Sequence, residues 1–153
     1  MATKSIETIV RELADREAIR DLPLKYCHHV WRKDVPALVN LFTDDGEFDA
    51  GGAQPAAKGK EALLKAYQQG LSTLDPHPFI HNHVIELQGS DRATGTCYLE
   101  LRATRDGKSM IAAGYYDDGY MKVGEEWKFR SRKVHMYYFV PLSEGWAEGQ
   151  SKQ

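Results

Sequence analysis

Six histidines are the residues best suited to proton transfer in this chain, because imidazole titrates nearest neutral pH. They are His28, His29, His77, His81, His83 and His135. His81 and His83 alternate along a run that reads as a strand, so they share a face with Ile85 and Leu87. His-x-His on a strand is a spacing that metals use, but a site needs further ligands converging on it. The sequence points to no metal. His28 and His29 are adjacent on a helical segment, so they cannot both point into one pocket. No HExxH, GxSxG, GxGxxG or P-loop pattern occurs, which leaves zinc-peptidase, serine-hydrolase, dinucleotide and nucleotide-triphosphatase readings without support. The chemistry that remains is cofactor-free general acid–base work in an apolar cavity, where burial tunes a base and a proton donor. Tyr26 and Tyr116 are candidate donors to a substrate oxygen, and Arg132 is a candidate for stabilising a developing anion.

The elements that must position these groups divide the chain in two. The first half is mostly helical. Ser5 is placed to cap a helix whose apolar side is Ile6, Ile9, Val10, Leu13 and Ala14. A longer helical segment, 15–33, follows, and Pro23 removes an N–H donor there, so a kink is expected near Leu22. On that segment Ile19, Pro23, Tyr26, Cys27 and Val30 share one arc, with Trp31 at its edge. Asp34 caps a third helix with Pro36 in its first turn. Asp44-Asp45-Gly46 reads as a turn before a short strand, and 59–69 reads as a helix ended by Gly70.

The second half is a meander of strands expected near 79–88, 93–104, 109–122 and 127–140. Asp106-Gly107 is the strongest hairpin signal, because a type I′ turn needs positive φ at both central residues. Gly124-Glu125 marks a second turn. Strand alternation puts Cys97, Leu99 and Leu101 inward, since Glu100 and Arg102 have the other parity. In the last strand two faces compete, one with Trp127, Phe129 and His135, the other with Arg132, Val134 and Met136. Alternation alone does not choose between them. The expected architecture is α+β: N-terminal helices on a curved, mostly antiparallel sheet that wraps a pocket. One domain is expected over 1–143, with a polar tail over 144–153.

The 153 residues include 42% apolar and 27% charged residues and carry a formal charge of −2. That composition suits a globular domain and lacks the basic footprint of a nucleic-acid binder. The N-terminal MATKSIET is too polar for a signal peptide, and no run approaches a membrane span. Cys27 and Cys97 read as free thiols of a reducing, cytoplasmic compartment.

The segments REAIRDLPLKYCHHVWRKDVPALVNLFTDDGEFD, NHVIELQGSDRA and GYYDDGYMKVGEEWKF carry a resemblance that spans nearly the whole chain. It is to the SnoaL-like, nuclear-transport-factor-2-like superfamily of α+β cone-shaped barrels. Within it the chain most resembles the dehydratase-like branch, which includes scytalone dehydratase, bile-acid 7α-dehydratase and hexachlorocyclohexane dehydrochlorinase. The resemblance implies a lyase or isomerase acting on an apolar ring substrate in a buried cavity. It equally admits a non-catalytic module that binds a hydrophobic ligand in the same cavity. Such lyases share an Asp near the end of the long helix and a His base at the start of a strand. Those positions fall here on Trp31 and Pro78. Tyr26 falls on a pocket tyrosine, and Arg132 on an assisting arginine. The implied lining is Cys27, Val30, Trp31, Phe48, Cys97, Leu99, Tyr116, Val134 and Met136. Either the loop slips locally, so that His77 or His81 becomes the base, or the chemistry differs. Tyr98, Tyr115, Tyr137 and Phe139 fall together on a sheet face, which suggests burial against a partner, and the resemblance implies a homo-oligomer, dimer or trimer, through that surface.

Overall fold

The computed structural model of the chain describes residues 3–147. Helix α1 runs from Ile6 to Arg32, followed by α2 (Val35–Asn40), β1 (Phe42–Asp49), β2 (Ala57–Lys58) and α3 (Lys60–Thr73). The meander is β3 (Asp75–Leu87), β4 (Arg92–Arg105), β5 (Lys108–Val123) and β6 (Glu126–Pro141). Three helices pack on one mixed sheet of order β2-β1-β6-β5-β4-β3, in which β1 runs parallel to β6 and the other pairs are antiparallel. The sheet does not close into a barrel: β2 and β3 are its edges.

Local chemistry sets most boundaries as expected. The Ser5 hydroxyl accepts from the Thr8 N–H at 3.2 Å, and the Asp34 carboxylate accepts from the Ala37 N–H at 3.2 Å. Asp106 and Gly107 turn the β4–β5 hairpin at φ of 50° and 73°. Other expectations are corrected. The two anticipated N-terminal helical segments are one helix, continuous through the buried Pro23. Its N-terminal stripe faces solvent: Ile6, Ile9, Val10 and Leu13 are 81%, 43%, 59% and 61% exposed. Helix α3 continues past Gly70 to Thr73. Asp44-Asp45-Gly46 is not a turn before a strand; it lies within β1, where the register against β6 shifts between Phe42 and Glu47. Strand β3 starts at Asp75 and absorbs Pro76 and Pro78, which an edge strand tolerates because its outer N–H row pairs with nothing. The expected tail lies outside the described residues from 148 onward.

Bulges decide which side chains face the helices. Between β5 and β6 the register shifts between Gly119 and Tyr120, so both Phe129 and Arg132 turn inward. The two competing faces of β6 are therefore both correct, one on each side of the bulge. A second shift falls at Ala113/Gly114, where a Cβ on Gly114 would overlap the His135 carbonyl oxygen. Within β3 the register shifts between Ile80 and His83, so Pro78 and Ile80 pair inward with Leu101 and Leu99, and His83 pairs with the buried Cys97. The core lies between this face and α1, which presents Ile19, Leu22, Tyr26, Cys27 and Val30. Asp15 pins α1 to the β5–β6 hairpin, accepting from Trp127 Nε1 at 2.8 Å and Lys122 Nζ at 3.0 Å. No described helix is long and apolar enough to cross a membrane.

Candidate functional site

A chamber of about 590 Å³ opens where α1, α3 and the 50–57 segment meet the inner sheet face. Its walls are Tyr26 and Val30 of α1, Tyr67 and Leu71 of α3, Pro76 and Pro78 of β3, Leu101, Tyr116, Val134 and Met136 of the meander, and Phe48 of β1. Gln54, Gln69 and Thr73 stand on its α3 and loop side. A second hollow of about 610 Å³ on the outer face is rimmed by Glu47, Asp49, Glu86, Asp117 and Lys133. The inner chamber, apolar with few convergent polar groups, has the character of a small-molecule site.

Among the described residues, phenols are the only ionisable groups on the chamber wall: Tyr26, Tyr67 and Tyr116. Tyr67 donates to the Tyr26 hydroxyl at 3.1 Å, which leaves the Tyr26 hydrogen for a ligand. The Tyr116 hydroxyl has no hydrogen bond among the described residues. Burial pushes Tyr26 up to about 12 and raises Tyr67 and Tyr116 well above the ordinary phenol value, with Arg132 opposing in each case. All three are therefore protonated donors at neutral pH and not bases.

Behind that wall lies a charged layer. Arg132 donates to Asp118 from Nε at 2.8 Å and from Nη2 at 2.7 Å, and neither side chain has any exposed surface. The guanidinium carbon sits 4.4, 3.9 and 4.2 Å from the ring centroids of Tyr26, Tyr116 and Phe129, so three aromatic faces share the cation. Burial works against that charge, but Asp118 holds it, and Arg132 stays protonated well above its usual range. Its Nη1 has no hydrogen-bond partner among the described residues. The Tyr120 hydroxyl donates to Asp118 Oδ2 at 2.9 Å, and the half-buried His83 meets Tyr120 through Nε2 at 2.9 Å. Desolvation lowers the His83 pKa, Asp118 opposes that, and Arg132 and Arg20 add to it.

The structure places the anticipated residues in three groups. Tyr26, Val30, Phe48, Tyr116, Val134 and Met136 line the chamber. Cys27, Cys97 and Leu99 are buried in the core beside it and not on its wall; burial lifts both thiols to about 12, so neither is a nucleophile. His77, His81 and Trp31 are outside. The expectation that His77 or His81 supplies a base is corrected by the β3 register: His77 pairs with Arg102 on the outer face, and His81 lies in the bulge, 3.5 Å from the outward Glu100. Trp31 is 45% exposed, packs on His77 at 4.5 Å between centroids, and donates from Nε1 to the Pro78 carbonyl at 2.8 Å. Trp31 and Pro78 thus touch, with the proline ring toward the chamber and the indole against its back. Sequence reasoning missed Tyr67, Pro76, Asp118 and Tyr120, and it named His83 without choosing it as the base. Asp118 shares the parity of Tyr116, which was the available signal; His83 shares the parity of Ile85 and Leu87, and what separates it from His81 is a bulge, which carries no composition mark.

Residues 11–133 match the SnoaL-like domain family. Among solved structures the chain is similar to LinA, at 25% identity and a TM-score of 0.82, covering 88% of this chain and 93% of that one. It is similar to the hexachlorocyclohexane dehydrochlorinase LinA-type3 of Novosphingobium barchaimii, at 25% identity and 0.81, covering 88% and 94%. A ketosteroid isomerase-like protein of Erwinia carotovora atroseptica shares the fold, at 24% identity and 0.70, covering 80% and 95%. No curated protein sequence matches the chain.

Proposed function

The chain belongs to the SnoaL-like family, and from that membership and its base-free chamber we propose that it binds a flat, mostly apolar molecule bearing an oxygen acceptor. The observation that carries this reading is the chamber wall: carbon surface, the Tyr26 and Tyr116 donors, and no group that titrates near neutrality. The aromatic and aliphatic walls supply burial, and the phenols orient the oxygen. A thermal-shift panel of ring ketones and phenols tests it, because a ligand of the folded state alone must raise the melting temperature. No shift across the panel, or an equal shift in a Val134→Trp variant that fills the chamber, overturns it.

A second reading is a cofactor-independent lyase or isomerase of the dehydratase-like kind, favoured by the phenol donors and the guanidinium behind them. Donors fixed where charge develops stabilise an enolate-like oxyanion. This chamber supplies that half of acid–base catalysis. The base that removes the carbon-bound proton would come from solution. Such turnover rises with the concentration of an added external base such as imidazole. A rate independent of buffer base contradicts it.

The outer sheet face supports self-association. Tyr115 stacks on His135 at 4.7 Å and approaches Tyr98 and Tyr137 at 5.8 and 5.7 Å, with no helix above them. A mass of 17.3 kDa at every concentration by light scattering contradicts that part of the proposal.

A further inference from the structure

We propose that the first turns of α1 form a pairing arm for a second copy of this chain, separate from the outer sheet face. Helix α1 carries two apolar faces that point apart. Asp15, Ile19, Leu22, Tyr26 and Val30 are buried against the sheet. At 100° per residue, Ile6, Ile9, Val10 and Leu13 centre about 150° from that arc, and all are exposed. No side chain before Asp15 is buried among the described residues, so segment 6–14 projects as about two and a half turns of helix. The helix continues through this segment from the packed part of α1, and what stays unsatisfied is its apolar stripe, which is left in water until a surface covers it. The described residues offer it no surface, because the stripe turns away from the sheet.

The order of the stripe selects the partner. About the midpoint between Ile9 and Val10 it is symmetric: Ile6 mirrors Leu13, and Ile9 mirrors Val10. Two antiparallel arms related by a twofold axis therefore place large residues at the ends and β-branched residues at the centre. An isologous contact requires that self-complementarity. Charge agrees. Lys4 and Arg11 balance Glu7 and Glu12, Lys4 is engaged by Glu12 at 2.7 Å, and none of these lies in the stripe. A neutral arm meets its copy without repulsion and lacks the cationic face that draws a helix onto a lipid surface. One helical stripe buries less than the roughly 1,200 Å² of a stable interface. The arm contact is accordingly weak and concentration-dependent.

Sedimentation velocity on the full chain tests this in a Tyr115→Glu background, which disables the outer sheet face and leaves the arm intact. That protein should shift from monomer toward dimer between about 1 μM and about 1 mM, the range in which small interfaces associate. Adding Ile9→Glu and Leu13→Glu should weaken the association at least about tenfold without moving the melting temperature of the dilute monomer, since both side chains are exposed. A Val10→Cys variant should give a disulfide-linked dimer under mild oxidation, and Ile6→Cys should not, because antiparallel arms hold those residues about 10 Å apart along the axis. The native thiols are buried and do not interfere. The proposal is overturned if Tyr115→Glu is monomeric throughout. It is also overturned if the Glu substitutions leave association unchanged, or if the arm drives binding to neutral phosphatidylcholine vesicles while the protein stays monomeric in solution.

Discussion

Asp118 grips Arg132 through two parallel hydrogen bonds of 2.8 and 2.7 Å in a place with no exposed surface on either side chain. Neither charge could stay there alone. Removing one partner of a buried pair leaves the other uncompensated, whereas removing both together need cost little. Asp118→Leu is therefore expected to destabilise the fold by about 3–5 kcal/mol, and Asp118→Leu with Arg132→Met to recover most of that loss. Urea unfolding of the three proteins measures it. An additive double variant would mean the pair is not coupled.

His83, joined to the pair through Tyr120, adds a pH dependence. His83 is held below its unfolded pKa by burial, so the unfolded chain binds the proton more readily. The stability it contributes is full above the unfolded value of about 6.5 and is lost as pH falls from there through the folded value. Melting temperature should decline over that acidic window. The His83→Gln variant should lose that part of the slope while retaining the carboxylate-driven part at lower pH. An unchanged slope places His83 in solvent and removes it from the Tyr120–Asp118 chain.

Much of the fold was legible because local chemistry fixes it. Caps at Ser5 and Asp34 and the Asp106-Gly107 turn each depend on a few adjacent residues, and each formed as read. The inward set Cys97, Leu99 and Leu101 followed from parity on an unbulged strand. The site was less legible, for one physical reason: a bulge inserts one residue and reverses parity without altering composition. That reversal left His81 in the outward bulge while His83 kept the inward parity of Ile85, and it brought Phe129 and Arg132 to one face. The exposed Ile6, Ile9, Val10 and Leu13 show the matching limit, since helical spacing marks an apolar face but not whether the fold supplies a surface to cover it.

The contact between Trp31 Nε1 and the Pro78 carbonyl invites a gain-of-function experiment. Pro78 borders the chamber from β3, and Trp31 lies directly behind it. Pro78→His with Trp31→Asp would place an imidazole at the wall and a carboxylate positioned to orient it. The double variant is expected to accelerate deuterium uptake at the acidic carbon of a bound ring ketone by about 100-fold or more, the usual reach of a placed general base. Pro78→His alone should fall between the wild type and the double variant. Equal rates in all three would show that a base at this wall does not reach the bound carbon.

Binding energetics at Tyr26 test the central claim most directly. Isothermal titration of a flat ring ketone and its deoxygenated analogue should give a preference for the ketone of about tenfold, the worth of one buried hydrogen bond. Tyr26→Phe should abolish that preference and leave affinity for the analogue unchanged, because the ring still packs between Tyr67, Tyr116 and Phe129. A preference that survives Tyr26→Phe together with Tyr116→Phe would contradict a chamber that reads its ligand through phenol donors.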